Sequence, residues 1–192
     1  MSLKPTPVTK IDFDIVPNLK KLTIFDGYEF TNGNLSDIEY HELEELYIEE
    51  GAFTSFTPTA FTKLTKLEIP FSTSLAEIDL AVNTQLTHVD CNYSDWNNNN
   101  LFSINTSTLL SLEYLSLQSN GLTYVDISNN PNLIYLDVSH NDLSDYRINL
   151  ILQKLVDFGK TDGFIFIGDN PGVPYDTINV DILTSRGWVV TL

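Results

Sequence analysis

The pattern L-x-x-L-x-L-x-x-N-x-L occurs twice in close succession, from Leu112 to Leu122 and from Leu133 to Leu143. The two copies are offset by 21 residues, and a fixed period of about 20–30 residues marks a coil of stacked turns, not a globular core. In the first copy Leu115 and Leu117 alternate with Tyr114, Ser116 and Gln118, the period-two signature of a strand with one buried face. One such strand cannot bury its apolar side alone and has to stack on the next turn. Asn120 and Asn141 close the two strands at the same register. An amide there can bond backbone groups at a bend where no ladder continues, and a buried amide left unpaired would cost about 1–3 kcal/mol. Leu122, Val125 and Ile127 then face inward again, and Asn-Asn-Pro-Asn at 129–132 turns the chain back.

This pattern resembles the leucine-rich repeat family. The resemblance implies an α/β repeat solenoid: a right-handed arc of about seven to eight turns, with one parallel β-sheet on the concave side and loops outside. Successive turns begin at Leu19, Leu43, Leu64, Leu86, Leu112 and Leu133, and a degenerate seventh runs through Ile165, Ile167 and Asn170. The unequal spacings of 24, 21, 22, 26 and 21 residues place the extra lengths in loops. The longest insertion holds Trp96 and the polar run Asn97 to Asn100, a surface loop on one rim. The third turn, AFTKLTKLEIP, resembles the Ala-Phe and Ile-Pro signature of another leucine-rich subtype. Upstream, IDFDIVPNLKKL aligns with VDISNNPNLIYL, so the chain enters the coil halfway through a turn after an irregular lead-in, MSLKPTPVTK. One leucine-rich repeat domain is therefore expected over 1–192: lead-in and half turn at 1–18, repeats at 19–143, and a closing helix–strand segment at 144–192.

Past Leu143 the period changes. Ser144 is the expected N-cap of a helix, with Ile148, Ile151, Leu152, Leu155 and Val156 at helical spacing up to Gly159. A strand and turn, GFIFIGDNPGVP, follow. Asp176 is expected to cap a short helix with Ile178, Ile182 and Leu183 inward, ended by Gly187, and WVVTL is expected to form the last rung with Trp188 near the edge. The series N-x-I-L-x-x-L, G-x-I-x-I-G-x-N-P-G, I-L-x-x-R-G-W-x-V is matched here by Asn149, Leu150 and Leu155, by Gly163 to Gly172, and by Ile182 to Val190. It departs slightly in the first element, where Leu150-Ile151-Leu152 replaces Ile-Leu. This segment resembles the close of leucine-rich repeat domains in Bacteroidetes surface proteins and in bacteriophage tail or fibre proteins. What that implies is attachment or recognition at a surface, not catalysis.

Charge narrows the partners. The chain carries a formal charge of −16, and no Lys or Arg lies between Leu67 and Tyr146. Such a surface repels phosphate backbones and anionic lipid, so neither nucleic acid nor membrane insertion is expected. It suits cationic partners or divalent cations, although acidity also simply keeps a repeat protein dissolved. The single cysteine, Cys91, excludes an internal disulfide framework and falls at a buried repeat position. No basic-then-apolar leader follows Met1, and no apolar run is long enough to span a bilayer, so the chain as given is expected to be soluble. The sequons at Asn34, Asn92 and Asn105 matter only in a eukaryotic secretory setting.

Residues between the buried leucines should stand in columns on the open face of the sheet. The first column reads Lys21, Glu45, Lys66, His88, Tyr114, Tyr135, Phe164. The second reads Thr23, Tyr47, Glu68, Asp90, Ser116, Asp137, Phe166, and the third Phe25, Glu49, Pro70, Asn92, Gln118, Ser139, Gly168. The expected ligand-binding residues on the concave face are Tyr47, Glu68, His88, Asp90, Tyr114, Tyr135, Asp137 and Phe164. Tyrosines supply broad amphipathic contact, and carboxylates accept from sugar hydroxyls or cationic side chains. The competing explanation is that neighbouring tyrosines pack on each other as good strand residues do. His88, Asp90 and Ser116 suggest a triad, but Ser116 neighbours Asp90 instead of His88, no oxyanion donors are evident, and a flat sheet excludes no water. His41 and His140 read as isolated turn or rim residues that suggest no metal site, and no cofactor is expected. An oxygen-rich cation loop at Asn141, Asp142, Ser144 and Asp145 is outweighed by the capping role of Ser144. The favoured function is noncatalytic recognition of a protein or glycan, displayed on a phage virion or bacterial surface. The alternatives are a structural virion component docking on other subunits through its N-terminal end, a cytoplasmic scaffold and, last, an enzyme.

Overall fold

A computed structural model describes residues 16–31, 41–92, 101–171 and 177–192. The lead-in, the aligned Ile11 and Phe13, the Trp96–Asn100 loop and the cap at Asp176 lie outside these residues. Among the described residues eight short strands make one parallel sheet: β1 Lys21–Ile24, β2 Glu45–Ile48, β4 Lys66–Glu68, β6 His88–Asp90, β8 Tyr114–Ser116, β9 Tyr135–Asp137, β10 Phe164–Phe166 and β11 Val189–Thr191. They are ordered as in the chain, each paired to the next, so the eight rungs form the expected α/β repeat solenoid. Among the described residues the outer side is not only loops. Ser55–Phe56 (β3), Glu77–Asp79 (β5) and Ser103–Asn105 (β7) form a second parallel sheet of three strands. Phe56 and Ile78 are buried behind it, so the same alternation that drives the inner strands operates on the outer ones.

Behind the inner sheet runs one apolar spine, from Ile24 to Trp188. Leu46, Leu67, Val89, Leu115, Leu136 and Ile165 stand opposite one another on successive rungs, each at most 1% exposed. Cys91 is fully buried in this spine, which pushes its thiol well above its ordinary range.

After the inner strands the chain bends through a left-handed residue: Asp26, Glu50, Phe71, Ser119, His140 and Asp169 all have φ between 53° and 58°. At the last three of these bends a buried asparagine follows. Asn120, Asn141 and Asn170 each donate through Nδ2 to the carbonyl three residues before and to a carbonyl of the preceding turn. Asn141 and Asn170 also accept from Leu122 N and Leu143 N through Oδ1. The asparagine therefore joins consecutive turns where strand pairing stops. On the outer side Asn83 and Asn130 do the same, each donating to two carbonyls of the turn before.

Helix α1, Asp145–Phe158, buries Ile148, Ile151, Leu152 and Leu155 and stops at Gly159, φ 71°. Ser144 occupies the N-cap position but its side chain makes no capping bond, which corrects its expected role. Helix α2, Thr177–Ser185, buries Leu183 and Asn179, whereas Ile178 is 67% exposed, contrary to expectation. A nine-residue helix packed on α1 has one narrow inward stripe, and Ile178 lies off it. Gly187, at φ 83°, ends that segment. Trp188 lies near the sheet's end yet is only 3% exposed, and its Nε1 donates to the Lys160 carbonyl at 2.9 Å. No helix of the described residues is long and apolar enough to cross a membrane.

Candidate functional site

Strand pairing fixes the columns directly. Lys21, Glu45, Lys66, His88, Tyr114, Tyr135 and Phe164 are partners on successive rungs, extended by Val189 on β11. Thr23, Tyr47, Glu68, Asp90, Ser116, Asp137 and Phe166 form the adjacent column, extended by Thr191. Because the rungs repeat about every 4.8 Å, flat side chains at one register lie within stacking distance of each other.

They do stack. His88 lies 4.0 Å from Tyr114 at 10° between planes, and Tyr114 lies 4.1 Å from Tyr135 at 11°. Tyr135 continues to Phe164 at 6.3 Å and to Phe166 at 5.6 Å, both tilted. The four-rung ladder presents ring edges that are half-buried at His88, Tyr114 and Tyr135 and exposed at Phe164. Burial, the nearby Asp90 charge and a hydrogen bond to Tyr135 raise the Tyr114 phenol far above its ordinary value. Burial raises Tyr135 as well. Both phenols are therefore neutral donors across the working pH range. Tyr47 is separated from this ladder and pairs with Phe25, at 5.5 Å and 54°.

Beside the ladder lie the acids. Glu68 Oε1 is 3.1 Å from Lys66 Nζ and 3.5 Å from His88 Nε2. Among the described residues that buried nitrogen has no hydrogen-bond partner, so the Glu68 contact is a close approach without hydrogen-bond geometry. Burial and the Lys66 ammonium lower the His88 pKa against the opposing pull of Glu68, so the ring is neutral near pH 7. Asp90 is pushed up to about 6, chiefly by burial, although Oδ1 accepts from Asn92 N at 3.1 Å. Asp137 sits in the expected column but is only 7% exposed, and its Oδ1 accepts from Ser139 N at 3.0 Å and Ser139 Oγ at 2.6 Å. Its Oδ1 therefore serves the bend at Ser139.

Of the eight expected residues the structure thus groups Glu68, His88, Asp90, Tyr114, Tyr135 and Phe164, keeps Tyr47 opposite Glu68 on the next rung but outside the ring stack, and draws Asp137 inward. The triad does not assemble: Ser116 is 2% exposed and stands opposite Asp90, not His88. Two histidines correct their expected isolation. His41 is 4% exposed, edge-on to Phe61, with Nε2 3.1 Å from the Val16 carbonyl. His140 Nε2 lies 3.3 Å from Asp169 Oδ2. Sequence spacing suggested no metal ligands, yet Glu68, His88 and Asp90 bring ligand atoms within 4.8 Å of one another. The signal was present in the columns, because the three residues occupy two adjacent rungs, but it requires the pairing register and not linear spacing.

No protein-family model and no curated protein matches the chain. Among solved structures it is similar to internalin C2 of Listeria monocytogenes, at 20% identity and a TM-score of 0.52, over 90% of this chain and 80% of that one. An internalin F of the same organism aligns over 93% of this chain and 68% of that one, at 14% identity and a TM-score of 0.36. At such identity the first likeness speaks to fold, and it agrees with the rung order: the chain has the leucine-rich repeat fold.

Proposed function

We propose that the chain is a noncatalytic recognition module that engages a protein or glycan through its inner sheet face. The observation that carries this reading is the aromatic ladder His88–Tyr114–Tyr135–Phe164, flanked by Glu68 and Asp90. Aromatic surface is concentrated where interfaces bind most strongly. Ring edges with neutral phenol donors beside carboxylates suit sugar hydroxyls and cationic protein side chains alike. The dismantled triad and the open sheet argue against an enzyme. Residues 1–192 acting as one module, displayed on a phage virion or bacterial surface, is the setting that the resemblance of the closing segment supports.

The test is a screen of the purified chain against immobilised glycans and cell-surface proteins, repeated with Tyr114→Ala/Tyr135→Ala. We expect the double variant to lose about 30-fold or more in affinity, the loss of one strong contact residue, while its far-ultraviolet circular dichroism stays that of the parent. Unchanged binding by the folded double variant would remove the face from consideration.

A further inference from the structure

We propose that Glu68, His88 and Asp90 form a site for one divalent transition-metal ion of the zinc class on the open face of the sheet. This goes beyond the recognition reading and does not depend on it, since the ion would bind the chain alone.

The geometry begins with the register. β4 and β6 are adjacent parallel rungs, with Glu68 opposite Asp90 and with His88 and Asp90 two residues apart on one face. All three side chains are half-buried, and a ligand atom from each lies within 4.8 Å of the others. Bonds of about 2.0–2.1 Å in tetrahedral array separate neighbouring ligand atoms by about 3.4 Å. His88 Nε2 and Glu68 Oε1, at 3.5 Å, already stand at that separation.

The second observation concerns that nitrogen. His88 Nε2 is buried and, among the described residues, lacks a hydrogen-bond partner, a costly condition for a polar atom unless something else satisfies it. Around it, second contacts hold the ligands in place. The imidazole plane is clamped flat on Tyr114, at 4.0 Å and 10°. Asp90 Oδ1 is held by Asn92 N, the kind of outer contact that orients a metal carboxylate.

The donor set selects the ion. One imidazole and two carboxylates suit zinc and its neighbours, whereas calcium and magnesium require shells of six or more oxygens. Three protein ligands leave a fourth position for water or for a donor from a bound partner. One cation competes: Lys66 Nζ sits 3.1 Å from the same Glu68 Oε1 and has to withdraw.

The test is titration of the full chain, stripped with a chelator, with cobalt(II) at pH 7.5, followed by visible absorption and competition with zinc. One equivalent should bind with the absorption of a four- or five-coordinate ion and be displaced by zinc, but not by excess calcium or magnesium. His88→Phe keeps a flat ring on Tyr114 while removing the nitrogen, and Glu68→Gln removes a charged ligand. Each should weaken binding about tenfold or more, a loss reached even by outer contacts of metal sites. Lys66→Met should tighten it severalfold, and His140→Ala should leave it unchanged. Absence of saturable uptake, parental affinity in folded His88→Phe, or loss of binding in His140→Ala would overturn the proposal.

Discussion

At the scale of single residues, Asp90 on the inner face is held against its ordinary chemistry. Its folded pKa of about 6 lies above the ordinary 3.8 because burial penalises its charge and Glu68 lies near. The folded state therefore holds that proton more tightly than the unfolded chain. The stabilisation is full below about pH 3.8 and is lost as pH rises through about 6. In chelator-treated protein, Asp90→Asn should raise stability at pH 7.5 by about 1–3 kcal/mol, from a shift of about two units. That gain should shrink toward zero near pH 4, as followed by thermal denaturation across the range. An equal gain at both pH values would mean that the carboxylate is not the titrating group. Asn120 and Asn141 were legible as bend residues because a repeated amide has a definite backbone task. Asp137 was not, because alternation places it outward while its bonds to Ser139 draw it into the bend. Period-two patterning gives a side, not a depth.

At the scale of elements, the inner strands and both helices were written plainly, while the outer sheet and the inward face of α2 were not. Leu115 and Leu136 occupy repeated positions, so their rungs follow from spacing alone. β3, β5 and β7 are no shorter than most inner strands, but they pair Phe56, Ile78 and Ile104 in register in place of a repeated leucine, so no single pattern marks them. The expectation for Ile178 failed because nine residues give barely two and a half turns in which to fix a buried stripe. The closing strand shows how tightly the end is fitted. A Cβ on Gly163 would lie 2.6 Å from the Trp188 ring, and that indole is anchored to the Lys160 carbonyl. Gly163→Ala should cost about 1–3 kcal/mol through overpacking. Gly159→Ala meets no atom within 4 Å and suffers only its left-handed φ of 71°, a cost of about 1 kcal/mol. Urea titration of the pair distinguishes the two effects. An equal or smaller loss at Gly163 would mean that Trp188 gives way.

At the scale of the whole molecule, a shared apolar spine turns residues about twenty positions apart into neighbours. Tyr114 and Tyr135 meet only because Leu115 and Leu136 are paired on adjacent rungs behind them. The proposed ligand face and the proposed metal site both inherit their geometry from this arrangement. Fold and columns were readable from the sequence because each turn repeats one register. The depth of each column was not, because it depends on bonds between turns. Photo-oxidative coupling tests the arrangement most directly, since tyrosyl radicals join only where their rings are held close. In dilute monomeric protein, peptide mass spectrometry should find an intramolecular Tyr114–Tyr135 dityrosine as the dominant product. Coupling confined to other tyrosines, with Tyr114 and Tyr135 recovered as separate peptides, would contradict the stacked column and the face built upon it.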